Sequence, residues 1–133
     1  MKRFVERCIT VMLIFAWLAI PAFADSDRKG EPAKGKEVTI TGQVTCTFCK
    51  LSNPNKPCSP GCCERCIKAG DPPLLTAKDS TQYILLTGEH EVPLMTPERY
   101  AMLGGMVTVT GILVKGKGVQ VIYVDKMEKA AKK

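Results

Sequence analysis

Apolar and polar positions alternate with a period of two over several stretches of this chain. Val38, Ile40, Gly42, Val44 and Cys46 fall on one side, while Thr39, Thr41, Gln43 and Thr45 fall on the other. That pattern predicts a half-buried strand with β-branched residues on both faces. Gly42 in its middle predicts a sharp bend or bulge, as where one strand serves two sheets. Leu74–Ala77 and Gln82–Thr87 flank Lys78-Asp79-Ser80-Thr81 and read as a hairpin. Met106–Val114 and Val119–Val124 read as another, joined by the turn Lys115-Gly-Lys-Gly118.

Two helices are marked by their punctuation. Ser59 as N-cap, Pro60 at the first helical position, Gly70 past the end and Pro72 beyond it frame a short helix over Pro60–Ala69. Thr96 and Pro97 repeat the device and open a second short helix that Gly104-Gly105 ends. The segment before the first strand, residues 25–36, is dominated by Lys, Glu, Gly, Asp and Pro, and predicts a flexible leader. The last residues, 128–133, are expected to fray, leaving a domain over residues 37–127.

Ahead of the leader lies a different kind of segment. Lys2, Arg3 and Arg7 precede an almost unbroken apolar run, Ile9–Ile20, and Ala22-Phe23-Ala24 is a small-x-small cleavage site. Residues 1–24 read as a secretory signal peptide, which places the mature chain across the inner membrane, in the periplasm, with no transmembrane span after cleavage. Removal of the signal leaves 109 of the 133 residues, enough for one small domain with a modest core. The nineteen basic and thirteen acidic residues become sixteen and twelve, a net charge of +4, with much of the excess in the two tails. No arginine–aromatic stripe marks a nucleic-acid face.

The chemistry is concentrated between Cys46 and Cys66, which enclose six of the seven cysteines. Cys46-Thr-Phe-Cys49 and Cys63-Glu-Arg-Cys66 are two C-x-x-C pairs separated by thirteen residues, among which are Cys58 and Cys62. Thiolates at such spacing can converge on Zn2+ in tetrahedral geometry or on Cu+, so Cys46, Cys49, Cys63 and Cys66 form the expected ligand set. Cys58, Cys62 and the single histidine, His90, are additional ligand candidates. On the helix, Cys66 is three and four residues from Cys63 and Cys62 and shares a face with either. Cys62 and Cys63 occupy the first turn, where the helix dipole favours thiolates. Met95, Met102 and Met106 would extend a soft-metal surface or, at that spacing, belong to the core.

Two other classes fit the same residues. An even number of cysteines in an exported protein suits structural disulfides, either among all six or as a Cys58–Cys62 bridge beside a four-cysteine metal site. Cys63-Glu-Arg-Cys66 in the first turns of a helix has the form of a thiol–disulfide oxidoreductase, although the strands do not alternate with long helices as a thioredoxin-like fold requires. One histidine supports no Ser-His-Asp set, and the carboxylates at Glu89, Glu91 and Glu98 show no paired arrangement, so hydrolysis is not indicated.

The stretches Val38-Thr-Ile-Thr-Gly-Gln-Val and Val107-Thr-Val-Thr-Gly-Ile-Leu share a pattern with glycine at the fifth place. With the order β, β, β, helix, β, β between Val38 and Val124, the chain resembles the OB-fold and looks like the small exported bacterial OB-fold domains. The resemblance implies a mainly β fold: a five-stranded, partly open barrel with one short helix between the third and fourth strands. The cysteine-bearing helix, within residues 46–70, would then be inserted between the first and second strands. The role expected first is an exported metal-binding or metal-stabilised accessory module, partnered by a metal donor or acceptor or another envelope protein; the alternatives are a thiol–disulfide redox protein and a disulfide-stapled interaction domain with no metal.

Overall fold

The computed structural model describes residues 34–89 and 91–131. The signal segment, nearly all of the leader and His90 lie outside the described residues. Five strands make up the domain: β1 (Lys36–Cys46), β2 (Pro73–Ala77), β3 (Gln82–Thr87), β4 (Met106–Lys115) and β5 (Gln120–Lys129). Three short helices accompany them: α1 (Thr47–Ser52), α2 (Pro60–Lys68) and α3 (Pro97–Tyr100). The strands close into a barrel in the order β1-β2-β3-β5-β4, with β4 returning to β1. The fold is thus mainly β and OB-like, with the cysteine-bearing α2 between β1 and β2. Among the described residues no helix is long and apolar enough to cross a membrane.

Gly42 explains how one strand closes the ring. The first part of β1, Lys36–Gln43, pairs with β4, while Gly42–Cys46 pairs with β2, so Gly42 faces partners on both sides. A Cβ there would run into the carbonyl oxygen of Thr76, which only glycine avoids. Gly111 holds the matching place in β4, where a Cβ would meet the carbonyl oxygen of Tyr123. The β4–β5 ladder shifts register at Thr110/Gly111: Gly111 pairs with Val124 but Thr110 with Lys126, which leaves Asp125 as the extra residue of a bulge. Between β3 and β5 the pairing is parallel, Ile84 opposite Val121 through Thr87 opposite Val124.

The alternation seen in the sequence becomes the barrel interior. Val44, Leu75, Leu85, Val107, Val109 and Ile122 are fully buried and, with Val124, Met127 and Leu103, form one apolar cluster. On the outside, Thr39 and Thr41 hydrogen-bond Thr110 and Thr108 across β1 and β4, at 3.1 and 2.9 Å. The strand β5 extends to Lys129, past the boundary at residue 127 and the end at Val124 that its pattern suggests. The reason is the bulge at Asp125, which moves the inward face from Ile122 and Val124 to Met127 and so breaks the period-two signal.

The segment after α3 ties β1 to the start of α2. Gly104, at φ +76°, donates its N–H to the carbonyl of Val44 at 2.8 Å, and Val44 N–H donates to the carbonyl of Gly105 at 3.3 Å. Gly104 faces Pro60, the first residue of α2; a Cβ there would be 3.2 Å from the proline ring. The cysteine helix is therefore seated on the barrel end by a turn that needs glycine for its left-handed backbone and for its close approach.

Candidate metal centre

Four local devices bring the six cysteines of the described region to this end of the barrel. Cys46 is the last residue of β1, pairs with Pro73 of β2 and is fully buried. One residue on, Thr47 opens α1, which turns the chain by little more than a helical turn and a half and brings Cys49 back beside Cys46. This helix was not legible in the sequence. It has no side-chain cap and no buried residue, and Phe48 and Leu51 are exposed on it. Cys58 comes from the loop Asn53–Ser59, close to the start of α2. Cys62, Cys63 and Cys66 stand on α2 itself, where the expected cap is present: Ser59 Oγ accepts from Cys62 N–H at 3.3 Å, and Pro60 follows.

Ile67 and Cys63 anchor α2 to the core cluster, so the helix cannot roll without opening the barrel end. Its outer face is solvated. Lys68 pairs with Glu64 at 2.6 Å and lies 5.2 Å above the Tyr100 ring, and the Glu64 carboxylate raises the Lys68 pKa.

The six sulfurs fall into three sets, in each of which all sulfurs lie within 4.8 Å of one another: Cys46, Cys58 and Cys63; Cys46, Cys49 and Cys66; and Cys49, Cys58 and Cys62. Cys46, Cys49 and Cys58 each belong to two sets, and the three α2 cysteines to one each. Cys49 Sγ is 3.5 Å from Cys62 Sγ and 3.9 Å from Cys66 Sγ; Cys58 Sγ is 2.8 Å from Cys63 Sγ. Of the four ligands expected from spacing, Cys46, Cys49 and Cys66 share a set, while Cys63 joins Cys46 through the set that holds Cys58. Cys58 and Cys62 are as much part of the cluster as the two C-x-x-C pairs. Met95 and Met102 pack against the core, and Met106 is exposed at the start of β4.

Protons are divided unevenly among these thiols. Burial opposes ionisation of Cys46, but the Cys49 backbone N–H and the thiols of Cys49, Cys66 and Cys58 outweigh it and hold Cys46 below the ordinary thiol range. Hydrogen bonds with the Cys49 and Cys58 thiols lower Cys62 against burial, with smaller help from Cys66 and Arg65. The direction at Cys62 is the one the helix dipole leads one to expect, but the neighbouring thiols produce it. Cys49 is raised, first by its hydrogen bond with Cys46. Burial, followed by the Cys46 and Cys49 thiols, pushes Cys66 up to about 12. Cys58 is raised as well, by burial and then by Cys63.

Solvent reaches the cluster on one side. An opening lined by Cys49, Cys58, Cys62, Asn53, Lys56 and Pro57 exposes one of the three sets. Comparison with protein-family models, with curated proteins and with solved structures finds no match for this chain. What is defined, then, is a class: an OB-like barrel that carries at one end a six-thiol cluster able to hold a metal ion.

Proposed function

We propose that this chain is an exported metal-binding accessory module whose cysteine cluster takes a soft, thiolate-seeking ion, Zn2+ or Cu+, and exchanges it with a donor or acceptor in the cell envelope. The observation that carries the reading is the overlap of three sulfur sets, each within 4.8 Å, at one end of a rigid barrel. A thiolate–metal bond of about 2.3 Å places sulfurs around one ion about 3.8–4.0 Å apart. The Cys49–Cys62 and Cys49–Cys66 separations of 3.5 and 3.9 Å fall around that value. Export rests on the basic start, apolar run and Ala22-Phe23-Ala24 of the first 24 residues. The opening beside Lys56 supplies a route for the ion in and out.

One observation favours a second reading, a disulfide-stapled interaction domain. Cys58 and Cys63 sulfurs approach to 2.8 Å, closer than the 3.5 and 3.9 Å of Cys49 to Cys62 and Cys66, and oxidation would join this pair in preference to Cys58 with Cys62. The redox-enzyme reading gains less support, because Cys63 and Cys66, the two ends of its C-x-x-C, belong to different sulfur sets.

Native and denatured mass measurement of the protein as purified separates these readings. A native increment matching zinc or copper, with at least four thiols open to alkylation after unfolding, is expected. A mass lower by six hydrogens with no metal increment overturns the metal reading in favour of staples.

A further inference from the structure

The three sulfur sets are related in a way that one ion does not use. Any two of them share one sulfur, and each pair shares a different one: Cys46, Cys58 and Cys49. The unshared sulfur of each set comes from α2, namely Cys63, Cys66 and Cys62. Among the described residues the sets are triples, whereas a single zinc ion in a structural site takes four ligands. Three-coordinate thiolate sites suit a monovalent soft ion, and a thiolate sulfur retains lone pairs for a second ion.

From this we infer that the cluster binds three Cu+ ions, one in each set, with Cys46, Cys49 and Cys58 bridging neighbouring ions and Cys62, Cys63 and Cys66 each bound to one. The inference rests on the metal-binding reading above and specifies its cargo.

The charge of the insertion supports a monovalent ion. Six thiolates around three Cu+ carry −3. Residues 46–70 carry four basic side chains, Lys50, Lys56, Arg65 and Lys68, against one acidic, Glu64, a balance of +3. Three divalent ions would leave the thiolates neutralised and that excess unmatched. Loading is an exchange without electron transfer: each thiol that is still protonated gives its proton to solvent, and copper enters and remains as Cu+.

Sharing has a numerical signature. Loss of a bridging sulfur breaks two sets, and loss of an unshared sulfur breaks one. Cys49→Ser and Cys62→Ser test this within a single set, and Cys49 and Cys62 are only partly buried, unlike Cys46. The protein and both variants, reduced and kept without oxygen, are titrated with Cu+ supplied as its acetonitrile complex, and bound ions are counted by native mass spectrometry. Circular dichroism checks that each variant retains its β signal, and a parallel titration uses Zn2+ alone. The expected counts are three copper ions for the parent protein, two for Cys62→Ser and one for Cys49→Ser. Equal losses in the two variants overturn the bridging arrangement. A single copper ion, or one zinc ion with no copper, overturns the inference and leaves the metal-binding reading standing. Binding of neither metal overturns both.

Discussion

Thr47 and Pro72 close the cysteine insertion at its neck: the backbone N–H and the hydroxyl of Thr47 both donate to the carbonyl oxygen of Pro72, at 3.2 and 2.6 Å. The two residues are 25 apart in sequence, so a pair of hydrogen bonds to one oxygen fixes where α1 leaves β1 and where the chain enters β2. Thr47→Val keeps the shape and the backbone bond but removes the hydroxyl. Its expected cost is about 0.5–1.5 kcal/mol, read as a lower urea midpoint with unchanged slope, and Thr47→Ser should restore most of it. Equal midpoints for the valine and parent proteins would remove the neck bond from the account.

Two glycines should respond to alanine with opposite sign. At Gly42 the new Cβ would strike the Thr76 carbonyl, a backbone atom that cannot move without opening the β1–β2 ladder. Gly42→Ala is expected to destabilise by about 1–3 kcal/mol. Gly61, in the first turn of α2, has nothing within 4 Å of a Cβ, so Gly61→Ala should stabilise by about 0.4–1 kcal/mol. Thermal melts of the two variants check the pair.

The burial pattern of β3 gives a further contrast. Leu85 is fully buried in the core cluster, and its neighbour Leu86 is 37% exposed. Leu85→Ala should cost about 2–5 kcal/mol. Leu86→Ala should cost well under half as much, and comparable losses in denaturant midpoint would contradict the β3–β5 register described above.

Metal uptake should weaken as pH falls. Cys58 and Cys66 are raised, Cys66 to about 12, so both are protonated in the metal-free protein at neutral pH and must lose those protons to bind. A raised thiol pKa favours the protonated, metal-free form up to its own value, and a lower pH adds to that competition. Competition with a chelator of known affinity, repeated from pH 8 to pH 6, should show falling affinity. Calorimetry in buffers of different ionisation enthalpy should show net proton release. A pH-independent affinity would mean that these two thiols are not ligands.

Much of this architecture could be read in advance because its signals are local. Alternation around Val44 and Val107, the glycines at 42 and 111, and the Ser59-Pro60 and Thr96-Pro97 caps each act within a few residues and were legible as strands, bends and helix starts. The six cysteines were legible as one chemical group from composition and spacing. Three features were not. The helix α1 has no side-chain cap and no buried residue, so neither a capping signal nor an apolar face marks it in the sequence. The bulge at Asp125 hid the end of β5 by switching the inward phase. The membership of the sulfur sets depends on how α2 lies across the barrel end, which Gly104 and Pro60 decide from opposite sides of β2 and β3 in sequence. Spacing therefore grouped Cys63 with Cys66, whereas the helix directs them to different neighbours.

Cys46 is at once a lining residue of the barrel and a member of two sulfur sets. A chain whose first and second strands have not yet met owns every thiol but lacks the geometry in which two of the three sets exist. Assembly of those two sets is thereby coupled to closure of the ring, and a chain whose ring has not closed offers scattered thiols in their place.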